Sequence, residues 1–150
     1  MIKFYKVYDR GVVLPYGCFS NFSPHKLIED GIEYKTSEHY YQSKKFLKKE
    51  DELEVINSAT PSLCAKIGRD REKTLREDWE EIKDDIMYNA LKLKFSQNFF
   101  IKNILLSTAE EELIEDSPVD SYWGCGSDGL GKNMLGKLLM KLRQELREME

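Results

Sequence analysis

Two long segments of the chain place apolar residues three or four positions apart, which is the spacing of an amphipathic helix. One segment begins near Leu75 and the other begins near Asn133. A helix with such a stripe is stable only when the stripe packs against other elements. The predicted buried faces consist of Trp79, Ile82, Ile86, Ala90 and Leu93 in the first helix, and of Leu135, Leu138, Leu139, Leu142, Leu146 and Met149 in the second.

Shorter helices are predicted before and between these segments. One runs from about Ser37 to Lys48, and another lies within residues 50–59. Thr60 followed by Pro61 is a typical helix start, and that helix should end near Gly68. Residues 99–108 are predicted to continue as helix after the long segment that begins near Leu75.

Strand signals are fewer and lie mainly near the N-terminus. Residues 2–8 alternate in polarity, and Asp30-Gly31 between two β-prone runs predicts a hairpin. Residues 111–116 read as one further short strand, whereas residues 11–25 and 117–133 are rich in turn formers. The sequence therefore predicts an α+β protein, mainly α-helical, with a small N-terminal β-sheet. At 150 residues, residues 1–150 are expected to form a single domain.

Composition excludes several classes of function. The net charge of −4 argues against a broad basic surface for nucleic acid, although it leaves room for a nucleotide pocket. No apolar run approaches the ~20 residues of a membrane span. Three scattered cysteines and two histidines in no ligand-like spacing predict neither disulfides nor a metal site, and no cofactor is expected. These features together predict a cytoplasmic protein that does not engage membranes.

Glu38 lies on an unusual helical stripe. At helical spacing it shares a face with Tyr41, Gln42 and Lys45, and these polar groups suit a pocket wall better than a core. Glu38 is either a solvated first-turn glutamate or a carboxylate that acts as a general base or binds hydroxyls. Lys45 is either solvent-facing or a pocket amine that pairs with an anion or attacks an aldehyde.

The loop 117–133 contains a second group of candidates. Gly124 to Gly129 match GxGxxG, but no apolar strand leads into them, so a dinucleotide fold is not indicated. The glycines either form a tight turn or present backbone N–H groups to an anion ahead of the helix at Asn133. Trp123 is either a core residue or a stacking surface for a base. Asp120 and Asp128 are either turn formers or acids near the reacting bond.

Two further stretches carry recognition chemistry. Arg69 and neighbouring arginines precede Trp79, and such residues suit phosphate and ring recognition, although a core position is favoured for Trp79. In the loop 19–25, Phe19 and Phe22 either anchor the loop or border a cleft that Asn21 and Ser23 supply with hydrogen-bond donors.

Together, in this order, these stretches resemble the NADAR family, also called YbiA-like. The segments that carry the resemblance are FSNFSPH with GIEYKTSEHYYQSKKF, the segment TPSLCAKIGRDREKTLREDW, and DSPVDSYWGCGSDGLGKNMLGKLL. The match covers roughly residues 18–146. Ala109 stands where the family has a glycine, at a predicted turn.

The resemblance implies a mainly helical YbiA-like domain that hydrolyses N-glycosidic bonds. Its implied substrates are ADP-ribosylated nucleic acid, cleaved at guanine, or a ribosylated small molecule, namely the phosphoribosyl-pyrimidine intermediates of riboflavin synthesis. The residues that the resemblance assigns to the site are Glu38, Lys45 and Asp120 as catalytic groups and Asn21, Phe22, Arg69, Trp79, Trp123, Gly124 and Asp128 as substrate-binding groups.

The mechanism expected of these residues needs an acid to protonate the leaving nitrogen and an anion to stabilise a cationic sugar. Glu38 and Asp120 are expected to divide these roles, and Lys45 to capture C1 of an opened ribose as an imine. Trp123 is expected to stack the base opposite this pair. Two alternatives stay open: a module that binds ADP-ribose or NAD without cleavage, and a helical interaction protein. The sequence leaves the oligomeric state undetermined.

Overall fold

The computed structural model describes residues 1–150, and they form two compact units. One unit consists of residues 21–97, and the other of residues 1–20 together with 98–150. The predicted mainly helical α+β class is confirmed. The strands are β1 (Ile2–Phe4), β2 (Tyr8–Asp9), β3 (Val12–Val13), β4 (Leu27–Glu29), β5 (Ile32–Tyr34) and β6 (Leu113–Glu115), and the helices are α1 (Ser37–Ser43), α2 (Lys49–Ile56), α3 (Pro61–Gly68), α4 (Trp79–Gln97), α5 (Phe99–Ser107) and α6 (Met134–Glu148).

The strands form three separate pairs instead of one small sheet. β1 pairs in parallel with β6, whereas β2 with β3 and β4 with β5 form antiparallel hairpins. The hairpin predicted at Asp30-Gly31 is confirmed, since both residues have positive φ angles of 52° and 79°. The β2–β3 hairpin was not predicted. Its turn at Arg10-Gly11 has the same left-handed geometry.

Within residues 21–97, helix α1 packs against α2, α3 and α4. The side chain of Thr36 caps α1 by accepting a hydrogen bond from the backbone N–H of His39 at 3.1 Å. The predicted cap at Thr60 is also confirmed, because its hydroxyl accepts from Leu63 N–H at 3.2 Å. The hairpin β4–β5 contributes Leu27 and Tyr34 to a core cluster that also contains Tyr40 and Ala90.

Helix α1 ends at Ser43, five residues before the predicted boundary near Lys48. The Ser43 hydroxyl bonds back to the Tyr40 carbonyl at 2.8 Å, which competes with the helical ladder. Beyond it, Phe46 pairs with Leu75 in an antiparallel bridge. Lys45 therefore follows the helix, and the predicted helical relation between Glu38 and Lys45 is wrong in its geometry.

Helix α4 begins at Trp79 and not near Leu75, because the preceding residues are used in that bridge. Arg76 N–H donates to the Lys45 carbonyl at 3.0 Å, and Leu47 N–H donates to the Thr74 carbonyl at the same distance. A break at Asn98 separates α4 from α5. The long helix that was predicted to continue through residues 99–108 is therefore two helices.

In the unit formed by residues 1–20 and 98–150, α6 packs on α5 and β6. Its leucine stripe is buried as predicted, except that Met149 is exposed. The buried guanidinium of Arg143 donates to the Thr108 hydroxyl at 2.9 Å and to the Glu111 carbonyl at 2.8 Å. These bonds fix the turn that follows α5.

Ala109 occupies a left-handed position in that turn, with φ of 54°. An L-residue there is strained, by roughly 1–2 kcal/mol, whereas glycine pays about 0.5–1 kcal/mol in unfolded-chain entropy. Ala109→Gly is therefore expected to raise the free energy of unfolding by about 0.5 kcal/mol and the melting temperature by roughly 1–2 °C.

The control for this prediction is Ala65→Gly inside helix α3, where the same substitution should lower the melting temperature. Thermal unfolding followed by circular dichroism measures both. A lower melting temperature for Ala109→Gly would contradict the assigned strain.

Candidate functional site

Glu38 is a buried acid in the unit formed by residues 21–97. It lies in the first turn of α1 and exposes only 8% of its surface. The interpretation of Glu38 as a solvent-exposed glutamate, which the sequence left open, is therefore wrong. Its backbone N–H donates to the Asn21 carbonyl at 3.1 Å, and its Oε1 accepts from the Nε2 of Gln42 at 3.3 Å.

Asn21 fixes the start of α1. Its Oδ1 accepts a hydrogen bond from the Ser37 hydroxyl at 2.8 Å, and its Nδ2 donates to the sulfur of Met87 at 3.3 Å. The predicted contact of Asn21 with substrate stays a prediction, but its position beside Glu38 is established. Phe22 exposes 39% of its surface and so does not anchor the loop in the core as Phe19 does.

Lys45 lies near Glu38 although it is outside the helix. Its Nζ donates to the Gly68 carbonyl at 2.8 Å, and its backbone is held on both sides by Gln42 and Arg76. Burial lowers the pKa of the Lys45 ammonium below its usual range, while the charges of Glu38 and Glu80 oppose this shift. A lysine with a lowered pKa is a better amine nucleophile near neutral pH.

Lys44 has the opposite environment. Its ammonium lies 3.3 Å from the Glu29 carboxylate and 4.9 Å from the centre of the Tyr40 ring. Burial alone would lower the pKa of Lys44, but the neighbouring Tyr34, Tyr40 and Glu29 raise it. The two adjacent lysines thus point to different partners, and Lys44 is held as a structural cation.

His39 is not a candidate base. Its ring nitrogens lie 2.8 Å from the Thr36 hydroxyl and 3.0 Å from the Ser58 carbonyl, and burial lowers the pKa of the imidazole. The ring is therefore a neutral link between α1 and the loop before α3.

Trp79 and Arg69, both predicted to bind substrate, differ in exposure, since Trp79 is buried and Arg69 is exposed. Trp79 exposes 5% of its surface and packs on Tyr41 with ring centres 5.1 Å apart, so its predicted core position is confirmed. Its contact with substrate stays a prediction. Arg69 follows α3 and is exposed. Its charge acts on Lys45, and it forms no ion pair with any carboxylate.

A cleft of about 360 Å³ opens beside Arg69. Lys73 in this cleft is neutralised by Asp51 at 3.1 Å and by Glu54 at 2.7 Å. Lys66 and Arg69 form no ion pair and are available to an anion, although Asp70 adds a negative charge to the same lining. The cleft is lined by Glu54, Lys66, Ile67, Arg69, Asp70 and Lys73.

The candidates of the loop 117–133 belong to the other unit. The Oδ1 of Asp120 accepts from the N–H groups of Tyr122 and Trp123 at 2.9 and 2.8 Å, which makes Asp120 the organiser of a tight turn. Asp128 plays the same local role for Leu130 at 2.9 Å. The catalytic and binding roles predicted for these acids stay predictions.

Gly124 is a position of close packing. A Cβ there would lie 2.8 Å from the Cβ of Ser117 and 2.9 Å from the Glu115 carbonyl. The first amides of α6 do not present themselves to an anion, because Met134 and Leu135 N–H donate to the carbonyls of Tyr122 and Trp123 at 3.0 Å. Phosphate binding at this helix start, which the sequence left open, is therefore not supported.

The sequence placed Gln42 on the same face as Glu38 but assigned no site role to Gln42 or Gly68. Gln42 lies one turn after Glu38, and this spacing was the available signal for its bond to the carboxylate. Gly68 appeared only as a helix end, and no local pattern indicates that its carbonyl binds Lys45. No group of three or more His, Cys, Asp or Glu side chains is placed to hold a metal ion. No helix has the length and apolar character needed to cross a membrane.

A buried carboxylate near an amine of lowered pKa is an arrangement typical of catalytic sites. The NADAR domain model matches residues 3–147, and the chain belongs to the NADAR family.

Full-length relatives and a solved structure agree with this assignment. The chain is 44% identical over 99% of its length to N-glycosidase Npun_R5314 of Nostoc punctiforme, and it covers 94% of that protein. It is 43% identical over 97% of its length to N-glycosidase YbiA of Escherichia coli, covering 88% of that protein. The NMR structure of E. coli YbiA matches with a TM-score of 0.88, covering 99% of this chain and 85% of that chain at 42% identity.

A plant relative carries a different kind of name. The chain is 44% identical, over 97% of its length, to a chloroplastic riboflavin biosynthesis protein, PYRR, of Zea mays. It spans 25% of that longer protein.

Proposed function

We propose that this protein removes ADP-ribose from guanine bases in nucleic acid by hydrolysing the ribosyl–nitrogen bond. The chain is a hydrolase of the N-glycosidase class, as its family and its full-length relatives show. The observation that carries the proposal is the buried Glu38 carboxylate near the amine of Lys45, whose pKa burial lowers.

Lys45 would attack the first carbon of the ribose. The amine forms a bond to C1, the C1–N bond to the base breaks, and the leaving nitrogen takes a proton from a carboxylic acid. Opening of the ring then gives an imine between C1 and Lys45. Water adds to C1, the C–N bond to Lys45 breaks, and the free sugar and the lysine are regenerated.

Glu38 and Asp120 would divide the acid and charge-stabilising roles. Burial places Glu38 in a low-dielectric environment, where its charge acts strongly on a cationic sugar. Asp120 is held in one orientation because two backbone N–H groups donate hydrogen bonds to its Oδ1. Trp123 would stack the base, as the family resemblance implies.

Arg69 would bind a phosphate of the substrate together with Lys66. Both side chains line the cleft beside Lys45's partner Gly68, and neither is neutralised by a carboxylate. Two unpaired cations suit the two phosphates of ADP-ribose.

A second candidate substrate is the phosphoribosyl-pyrimidine class of riboflavin intermediates. The name of the maize relative favours it, because that protein is a riboflavin biosynthesis protein. The proposed bond cleavage is the same in both substrates, since each joins a ribose C1 to a nitrogen.

The test incubates the protein with DNA ADP-ribosylated at guanine and, separately, with the phosphoribosyl-pyrimidine intermediate. Chromatography measures release of ADP-ribose or of ribose 5-phosphate. Release from the DNA substrate with at least about tenfold higher kcat/KM supports the proposal, and preference for the small molecule supports the second candidate. Binding of ADP-ribose without release from either substrate would identify a binding module and contradict the proposed hydrolysis.

A further inference from the structure

Gln42 lies between the two groups that the proposed reaction uses. It is buried, with 9% of its surface exposed, and its Nε2 donates to Glu38 Oε1 at 3.3 Å. Its Oε1 is buried and has no hydrogen-bond donor in the protein. A buried acceptor without a donor lowers stability, so the amide is not placed here for stability alone.

Gly68 provides the space for this amide. A Cβ at Gly68 would overlap the Oε1 of Gln42 and would lie 2.5 Å from its Cδ. Its φ angle is not left-handed, so glycine is required here by space and not by backbone conformation. The carbonyl of the same residue accepts the Nζ of Lys45 at 2.8 Å.

The contacts therefore form one chain from the carboxylate to the amine. Glu38 binds the amide of Gln42, the amide packs on Gly68, and the Gly68 carbonyl binds Lys45. The donor end of the amide must face Glu38, because the carbonyl end would repel a carboxylate. A side chain at residue 68 would displace the amide, the carbonyl or both.

We propose that Gln42 and Gly68 are a positioning pair that holds Glu38 and Lys45 in their mutual geometry. This inference rests on the proposed function of Glu38 and Lys45 as the reacting groups. Gln42 acts by donating to the carboxylate, and Gly68 acts by leaving room for the amide while its carbonyl holds the amine.

The first test is Gln42→Leu, which keeps the side-chain size and removes the donor. The expected result is a fall in kcat of roughly tenfold to a hundredfold with little change in KM, since a small misplacement of a reacting group has such an effect. The acid limb of the kcat/KM profile should move to higher pH, because the carboxylate loses a hydrogen bond to its charged form. The melting temperature should not fall, because the unsatisfied acceptor is also removed. Wild-type kcat and an unchanged pH profile would overturn the role of Gln42.

The second test is a double-mutant cycle with Gly68→Ala and Gln42→Ala. Gly68→Ala alone should lower kcat by roughly tenfold or more. In the Gln42→Ala background, Gly68→Ala should lower it by less than about threefold, because the added methyl group then has space. If the fold-changes in kcat of the two single substitutions simply multiply in the double variant, the proposed coupling of Gln42 and Gly68 is overturned. If Gly68→Ala alone fails to fold but folds in the Gln42→Ala background, the overlap is confirmed by that rescue.

A third readout separates this inference from the proposed function. Labelling of Lys45 by an amine-reactive reagent, followed by mass spectrometry over a pH range, requires no substrate. In Gly68→Ala the labelling midpoint should move to lower pH, because the ammonium loses its carbonyl acceptor. If the wild-type protein cleaves neither substrate, the proposed function fails. The shift of the labelling midpoint still shows whether the Gly68 carbonyl holds the Lys45 ammonium. An unchanged midpoint would overturn that contact.

Discussion

The Lys45→Arg variant is expected to form no borohydride-reducible adduct with substrate, whereas the wild-type protein gains the mass of the reduced sugar on Lys45. A guanidinium stays protonated in proteins and cannot form the imine, although it keeps the positive charge. The variant should therefore still bind substrate while kcat falls by roughly a hundredfold or more, the scale of a directly acting catalytic group. Intact-protein and peptide mass spectrometry during turnover measure the adduct.

The pH dependence of this adduct follows from the environment of Lys45. The neutral amine is the nucleophile, and burial lowers the pKa of Lys45, so its neutral fraction increases at lower pH than for an ordinary lysine of pKa about 10.4. Adduct formation should therefore rise with pH through a midpoint below that value.

Lys44 is the matched control. It is the adjacent residue, its pKa is raised by Tyr34, Tyr40 and Glu29 against the effect of burial, and it is bound to Glu29. Lys44→Arg should keep the adduct on Lys45. Product release by wild-type protein with no trapped adduct, or an adduct on Lys44, would contradict the imine route.

Elements whose geometry is set by neighbouring residues in sequence were predictable. The turn at Asp30-Gly31 needs two positive φ angles, and the cap at Thr60 needs one hydroxyl three residues before a free N–H. Both requirements are visible in the sequence. The boundaries of α1 and α4 were not predictable, because the bridge between Phe46 and Leu75 stops the first helix and delays the second.

The candidate site also combines features that the sequence indicates with features that depend on distant residues. The helical stripe of Glu38 left open a solvated glutamate and a pocket carboxylate, and the burial of Glu38 excludes the solvated position, while its catalytic role stays a prediction. Lys45 is near Glu38 for a different reason from the predicted one, since the chain beyond α1 is fixed by hydrogen bonds to residues 74–76. Gln42 occupies the space that a side chain at position 68 would need. These two residues are 26 positions apart, so no local sequence pattern predicts their contact.

The Glu38→Gln variant is expected to lose roughly 10²–10⁴-fold in kcat while its melting temperature stays within about 2 °C of wild type. The amide has the shape of the carboxylate, and its oxygen still accepts from Gln42, so the fold keeps its contact. What the variant lacks is the charge and the titratable proton that the reaction uses.

Glu50→Gln is the matched control, because Glu50 is also the second residue of a helix but is exposed. Both substitutions remove a negative charge near a helix N-terminus, an effect of about 0.3–1 kcal/mol on stability, so Glu50→Gln controls for the loss of charge in a first helical turn. Glu50→Gln should keep wild-type kcat. Full activity in Glu38→Gln on the cleaved substrate would exclude Glu38 as a reacting group, and the burial of its carboxylate would then need a structural explanation.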